Sequence, residues 1–369
     1  MLIILNDSIS DLDLMADEHS CIALQNLITC SLKGEHFVTG SRAVLNWLSE
    51  QESISIHLRK KVKRIENWVA QRGDLLNVIK RKIIVDSSVN EITKLSENHW
   101  CVPLIHFYEN GTSPSVILAE SLVDVDLLYE AAIYYKFSKG IRAINIRYEP
   151  RSGGGSTIFN VLDQIKNSRR EFCLCITDSD KKSPNCPQSS TSRKCESLCN
   201  DASWVVEHAE LSVHEIENLI PIEILENSLS VQLELDKFDL LKSRTKILGG
   251  DYYKFCDLKV GFTLKNLKSL DAGNPRYKYW KEVLDRLSSG GHISEFCELS
   301  EIQCTAEDCS CVLAPGFGDG LLSKIITKMK QTTPTKFHES AKDSFMINDW
   351  LSIGRIFFEF SCCPDKDRL

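Results

Sequence analysis

The order of apolar and polar positions divides the chain into three textures. Residues 1–112 open with the strand-like run Leu2–Leu5, enter a helical stretch over 22–32, and continue into a longer helical pattern over 41–70 that breaks near 51–55. The turn sequence Gly111-Thr-Ser-Pro114 then punctuates the chain. Residues 113–230 carry the clearest pattern. Val116-Ile-Leu-Ala119 predicts a buried strand ending in Glu120, and Val123, Leu127, Ala131 and Tyr134 follow at helical spacing as one apolar face. Alternation over 141–148 predicts a second strand, and Pro150-Arg-Ser-Gly-Gly-Gly155 a turn. Ser156 or Thr157 is placed to cap a helix reaching Lys166. Phe172-Cys-Leu-Cys-Ile-Thr177 predicts a third strand, ending in Asp178-Ser-Asp180, and 203–206 a fourth. The last texture, 231–369, mixes helical patterns at 279–287 and 321–329 with Gly-Gly turns.

The order β-α-β-α-β with helix-length connections predicts a Rossmann-like parallel sheet, whose ligands meet the carboxyl ends of the strands. The expected fold class is therefore α/β. A parallel-sheet domain over 113–230 is flanked by an N-terminal α/β domain of unreadable role over 1–112 and a mostly helical region over 231–369.

Charge and cysteine content change this picture only in part. With 44 Lys and Arg against 51 Asp and Glu, the net charge is −7, so no global field draws the chain to nucleic acid. The run Arg59, Lys60, Lys61, Lys63 and Arg64 reads as a solvated helix face. No apolar run approaches the ~20 residues of a membrane helix, and the N-terminus lacks the basic lead of a signal peptide. The expectation is a cytoplasmic protein with no membrane partner. Its 15 cysteines are expected as reduced thiols. Cys186, Cys195, Cys199 and His208 offer soft ligands without a Cys-x-x-Cys knuckle, so zinc is not favoured there. Cys304, Cys309 and Cys311 are weaker still, and Cys362-Cys363 reads as an exposed tail pair. Tyr252, Tyr253, Tyr277 and Tyr279 stand beside lysines in a pattern compatible with base stacking, with half-buried packing as the default. Asp7, Asp11 and Asp13 read as helix caps rather than a second acidic site. Gly153–Gly155 is not followed by Gly-Lys-Ser/Thr, which excludes a P-loop and leaves a flexible turn.

The candidate chemistry lies in carboxylates. Glu120 and the Asp178/Asp180 pair end parallel strands, and His214-Glu-Ile-Glu-Asn218 follows, with no obvious Lys or Arg between them. Such a cluster repels itself unless cations neutralise it, and hard oxygen ligands favour Mg²⁺ or Mn²⁺. At these residues the sequence resembles a TOPRIM domain, the metal-binding fold of topoisomerases, bacterial-type primases and certain nucleases. The shared pattern is a glutamate after the first strand (Glu120), a Gly-rich turn (Gly153–Gly155) and Asp-x-Asp after the third strand (Asp178, Asp180). Asp124 matches a further acidic position of the nuclease branch. Glu215-Ile-Glu-Asn-Leu219 is similar to a segment of TOPRIM nucleases of the overcoming-lysogenisation-defect type and related phage-defence proteins. Ser121 stands where many relatives carry Gly.

The resemblance covers about 115–225 and implies a Mg²⁺- or Mn²⁺-dependent endonuclease, an anti-phage effector acting on DNA or RNA. On that reading Glu120, Asp178 and Asp180 hold metal with Asp124, and Glu215 or Glu217 completes a second site. Glu120 is alternatively a general base, since neighbouring carboxylates raise one another's pKa. Arg151, Lys181 or Lys182 would meet the scissile phosphate, Lys182 reading more simply as a solvated charge. With no Walker sequence in the chain, an ATPase or sensor partner is expected. The competing classes are a non-catalytic subunit of a defence complex and a topoisomerase- or primase-type enzyme.

Overall fold

The computed structural model describes residues 1–292 and 312–366. Cys304, Cys309 and Cys311 lie outside the described residues. The protein is mixed α/β with parallel-sheet cores. It divides into two compact units that do not follow the segment boundaries above. The first contains Met1–Ile176, Lys194–Ala209 and Gly354–Leu369, and the second Thr177–Arg193 and Glu210–Ile353.

The first unit holds two sheets. Strands β1 (Leu2–Leu5), β2 (Phe37–Gly40), β3 (Lys82–Asp86), β4 (Thr93–Ser96) and β5 (His99–Pro103) form one, in the order β2-β1-β3-β5-β4. All its pairings are parallel except β4–β5. Helices α1 (Glu18–Leu32), α2 (Arg42–Glu50) and α3 (Ile56–Arg72) are its crossovers, with the α2–α3 break where the sequence pattern predicts one. The short helix α4 (His106–Glu109) follows β5. Buried Arg81 joins this sheet to the rest of the unit. It donates to Glu207 at 2.8 Å and to Glu359 at 2.6 Å, and Trp100 Nε1 donates to the same Glu207 at 3.3 Å.

In the second sheet β6 (Val116–Ala119) leads into α5 (Leu122–Ser138), as its periodicity predicts. The strand expected over 141–148 is reduced to β7 (Asn145–Ile146), and the ladder partner of β6 is instead β8 (Glu149–Ser152). Pro150 thus sits within a strand rather than a turn. This is tolerated because β8 is an edge, where a missing N–H costs no ladder bond. After α6 (Ile158–Ser168) come β9 (Cys173–Thr177), α7 (Ser190–Asn200) and β10 (Val206–Glu210), giving the order β10-β9-β6-β8. The fourth strand therefore starts three residues later than expected. Trp204 and Val205 are buried ahead of it, with the Trp204 indole donating to the Glu171 carbonyl at 2.7 Å.

The chain's last described residues return to this unit. Cys362 and Cys363 pair with β7 and are buried, not an exposed tail pair, because Phe357, Phe358 and Phe360 carry them into the core.

The second unit is mostly helical, beginning with α8 (Ile222–Glu226), α9 (Gln232–Leu248) and α10 (Gly250–Phe255). The helical patterns at 279–287 and 321–329 fall within Pro275–Ser289 and Leu321–Lys330. Tyr252 and Tyr253 are fully buried, their hydroxyls donating to the carbonyls of Leu313 and Ile220, which removes them as base-stacking surfaces. Among the described residues no helix is long and apolar enough to cross a membrane.

Candidate functional site

In the first unit Glu120 leaves β6 held by its backbone. The Glu120 carbonyl accepts from Ser152 Oγ at 3.0 Å, from the Gly154 N–H at 3.1 Å and from the Gly155 N–H at 3.4 Å, while the Gly153 N–H donates to Ala119 at 2.8 Å. The glycine turn is therefore a bonded clamp on the strand end rather than a loose loop. Gly154 has φ +70°, and a Cβ on Gly153 would lie 2.3 Å from Ile158, so both positions demand glycine. Ser121 is extended (φ −133°), and no left-handed turn exists there to require glycine. It is the N-cap of α5: its N–H donates to Asp124 Oδ2 at 2.7 Å, and its hydroxyl accepts from the Asp124 N–H at 3.2 Å. One Asp124 oxygen is thereby committed to the capping box. Arg151 forks onto Glu171 at 2.9 and 3.1 Å, which keeps its charge at home.

The second unit brings together more than the sequence predicts. Asp178 is half-buried and Asp180 exposed, the latter in a left-handed conformation (φ +55°). The Asp180 N–H donates to the His214 carbonyl at 3.0 Å, Ser179 Oγ donates to the Val213 carbonyl at 2.6 Å, and the His214 N–H donates to Lys254 at 2.9 Å. These bonds fasten the Asp-x-Asp turn to the His-Glu-Ile-Glu-Asn segment. Lys181 is taken by Glu210 at 2.6 Å, and Lys182 lies 3.7 Å from Asp257.

Asn218, fully buried, is the structural centre of that segment. Its Oδ1 accepts the Glu215 N–H at 3.2 Å, and its Nδ2 donates to the carbonyls of Tyr253 and Cys256 at 2.7 and 2.9 Å. The end of α10 is thereby fixed, and with it the turn Asp257-Leu-Lys-Val-Gly261. The turn closes through the Val260 N–H to Asp257 Oδ1 at 2.8 Å and the Gly261 N–H to the Asp257 carbonyl at 2.7 Å. Gly261 has φ +80° and leaves only 2.7 Å between a Cβ and the Ala314 carbonyl, so the turn needs its glycine.

The consequence is a lysine among the carboxylates, where the sequence suggested none. Lys259 Nζ lies 3.2 Å from Glu217 Oε1 and 3.4 Å from Glu215 Oε2. Burial works against its charge, yet Glu217, Glu215 and Asp178 hold its pKa above that of an ordinary lysine. Burial raises the pKa of Glu217, which is 1% exposed, against the pull of Lys259. Asp257 behaves oppositely. Burial would raise it, but His214, the Val260 N–H and Lys182 bring it down to about 2.

Polar atoms are left over. Glu215 Oε2, Glu217 Oε2 and both ring nitrogens of His214 are buried without a hydrogen-bond partner. Among the described residues, His214, Glu215 and Asp257 form a group whose ligand atoms all lie within 4.8 Å of one another. Buried unsatisfied carboxylate oxygens beside an imidazole are a donor set that fits a divalent cation.

Sequence reasoning missed Asp257 and Lys259 because they lie some forty residues past the acidic motif. Among the described residues the cysteines form no comparable group: Cys186 shares a hydrogen bond with Ser183 at 3.0 Å in the second unit, while Cys195 is hydrogen-bonded to Cys175 in the first. All eleven described cysteines are free. No family model matches the chain, and no curated protein or solved structure matches it.

Proposed function

We propose that this protein is a divalent-metal-dependent phosphodiester hydrolase acting on nucleic acid, with its working residues centred on Asp178, Glu215, Glu217 and Lys259. The single observation that carries the reading is the buried, incompletely satisfied acidic cluster that contains a cation of its own. Folding costs roughly 1–3 kcal/mol for each such orphaned group, a cost that a surface acidic turn does not incur.

In this reading Asp178 and Glu215 hold the ion, which when bound supplies charge stabilisation and a more acidic water. Lys259 is positioned to meet a non-bridging phosphate oxygen, where a fixed cation in a half-buried site stabilises the charge that develops. Glu217, with its raised pKa, is the proton donor for the leaving oxygen. Water would add its hydroxyl to phosphorus and release its proton to solvent, the P–O ester bond would break, and the leaving oxygen would take the proton of Glu217, which solvent then restores. A role in phage defence rests on the TOPRIM resemblance of Glu120, Asp178, Asp180 and the Glu215–Leu219 segment.

The test is incubation of the purified chain with supercoiled plasmid, single-stranded DNA and tRNA, in Mg²⁺, in Mn²⁺ and in EDTA. Metal-dependent cutting that disappears in Asp178→Ala and Lys259→Met supports the reading and names the substrate. Cutting that survives both substitutions, or that proceeds in EDTA, overturns it. Glu120→Gln in the same assay tests whether that carboxylate is needed for cutting.

A further inference from the structure

The most conspicuous polar group that the hydrolytic reading leaves unused is His214. Its side chain is 1% exposed, and neither ring nitrogen has a hydrogen-bond partner. Its backbone is pinned from both sides, by the Asp180 N–H on its carbonyl and by the Lys254 carbonyl on its N–H. Nε2 points at two carboxylates, 3.8 Å from Glu215 Oε1 and 4.0 Å from Asp257 Oδ2.

Neither neutral tautomer accounts for this arrangement. With the proton on Nε2, the N–H faces oxygens too distant to accept it. With the proton on Nδ1, a nitrogen lone pair faces two anions, which is repulsive unless a cation lies between them. A buried donor or acceptor left in that state is rare in folded proteins.

We propose that His214 Nε2, Glu215 and Asp257 form a nitrogen-bearing metal site, which takes an imidazole-accepting ion such as Mn²⁺ or Zn²⁺ in preference to Mg²⁺. The inference rests on the metal reading above for Glu215 and deepens it by naming the class of ion. One imidazole with two carboxylates is a mixed N/O set, whereas Mg²⁺ selects oxygen and retains its waters.

The geometry requires only a small closure. Metal–ligand bonds of about 2.0–2.2 Å set neighbouring donor atoms roughly 3–3.5 Å apart, so donor atoms now within 4.8 Å of one another approach by about 2 Å or less. The cations already beside the site are loosely held, Lys182 at 3.7 Å from Asp257 and Lys259 at 3.4 Å from Glu215. Both distances exceed the ~2.7–2.9 Å of a charge-assisted hydrogen bond, so no tight pair has to break when an ion enters.

The experiment uses the full chain, stripped of metal with EDTA and titrated with Mn²⁺, with pulsed electron paramagnetic resonance reading ¹⁴N coupling to the bound ion. The expected result is an imidazole ¹⁴N signal that a hundredfold excess of Mg²⁺ does not remove. His214→Gln should abolish that signal and weaken Mn²⁺ binding about tenfold or more, with the circular dichroism spectrum unchanged. Asp257→Asn provides a second variant, expected to weaken binding while retaining the signal. Bound Mn²⁺ without ¹⁴N coupling, or coupling that persists in His214→Gln, overturns this inference and leaves a carboxylate-held ion intact. No Mn²⁺ binding at all overturns both.

Discussion

Two acidic clusters follow strands in this protein, and they differ in what folding leaves unpaired. At the carboxyl edge of the N-terminal sheet, Asp86 accepts from Ser8 Oγ at 2.8 Å, from the Ser88 N–H at 2.8 Å and from Ser88 Oγ at 2.7 Å, while Asp7 accepts from Ser41 Oγ at 2.5 Å. Short hydroxyl side chains at half-buried and exposed positions satisfy these carboxylates, and the pKa of Asp86 falls despite the burial that opposes it. Around Glu215 and Glu217 no hydroxyl among the described residues donates to the carboxylates. Two buried carboxylate oxygens and an imidazole stay without a hydrogen bond, and a lysine stands between the acids. Composition alone would rank the two clusters equally. The difference shows that a candidate site is marked less by its number of acids than by acids the fold has not already served.

The comparison can be broken most severely at Asn218. Asn218→Ala strands two buried carbonyls and the Glu215 N–H, and equilibrium urea unfolding should show a loss of about 3 kcal/mol. A loss under about 1 kcal/mol would mean that the segment is held some other way. Lys259→Met, which removes the cation between two acids, should cost about 2 kcal/mol in EDTA. Saturating Mn²⁺ should recover part of that loss, because an ion that binds only the folded state stabilises it.

A third effect appears in acid. Asp257, lowered from 3.8 to about 2, contributes stability that is complete above pH ~4 and lost as the pH falls through 2. By proton linkage this amounts to about 2 kcal/mol. Thermal melts between pH 5 and pH 2 should therefore fall less steeply in Asp257→Asn than in the wild type. The smallest effect belongs to the satisfied cluster. Asp86→Ala should cost about 1 kcal/mol and leave Mn²⁺ affinity unchanged by calorimetry. A change in metal affinity there would erase the distinction between the two clusters.

Much of this arrangement can be read from residue order, and the exceptions have physical causes. Val116–Ala119, the helix after it and the strand before Asp178 follow from apolar runs and spacing, because both are local properties. Pro150 misled the reading because its edge position in the sheet is set by partners distant in sequence. The glycine turn was visible, but its task of clamping the Glu120 carbonyl was not, since that bond joins residues more than thirty positions apart. Glu215 and Glu217 stood out through their motif, whereas Asn218, the fourth residue of the same motif, proves to be the one that brings Asp257 and Lys259 into place. Nothing local marks those two residues beyond a glycine four positions after Asp257. Arg151 and Lys181, which looked available for phosphate, are taken by Glu171 and Glu210 because nearby acids neutralise them first.

The central claim is that the unpaired cluster takes one divalent ion, and calorimetric titration of metal-stripped protein with Mn²⁺ tests it most directly. The account predicts binding of one ion per chain, lost in Glu215→Gln/Glu217→Gln while the double variant remains folded. Equal binding by the wild type and the double variant, or no binding by either, would contradict it.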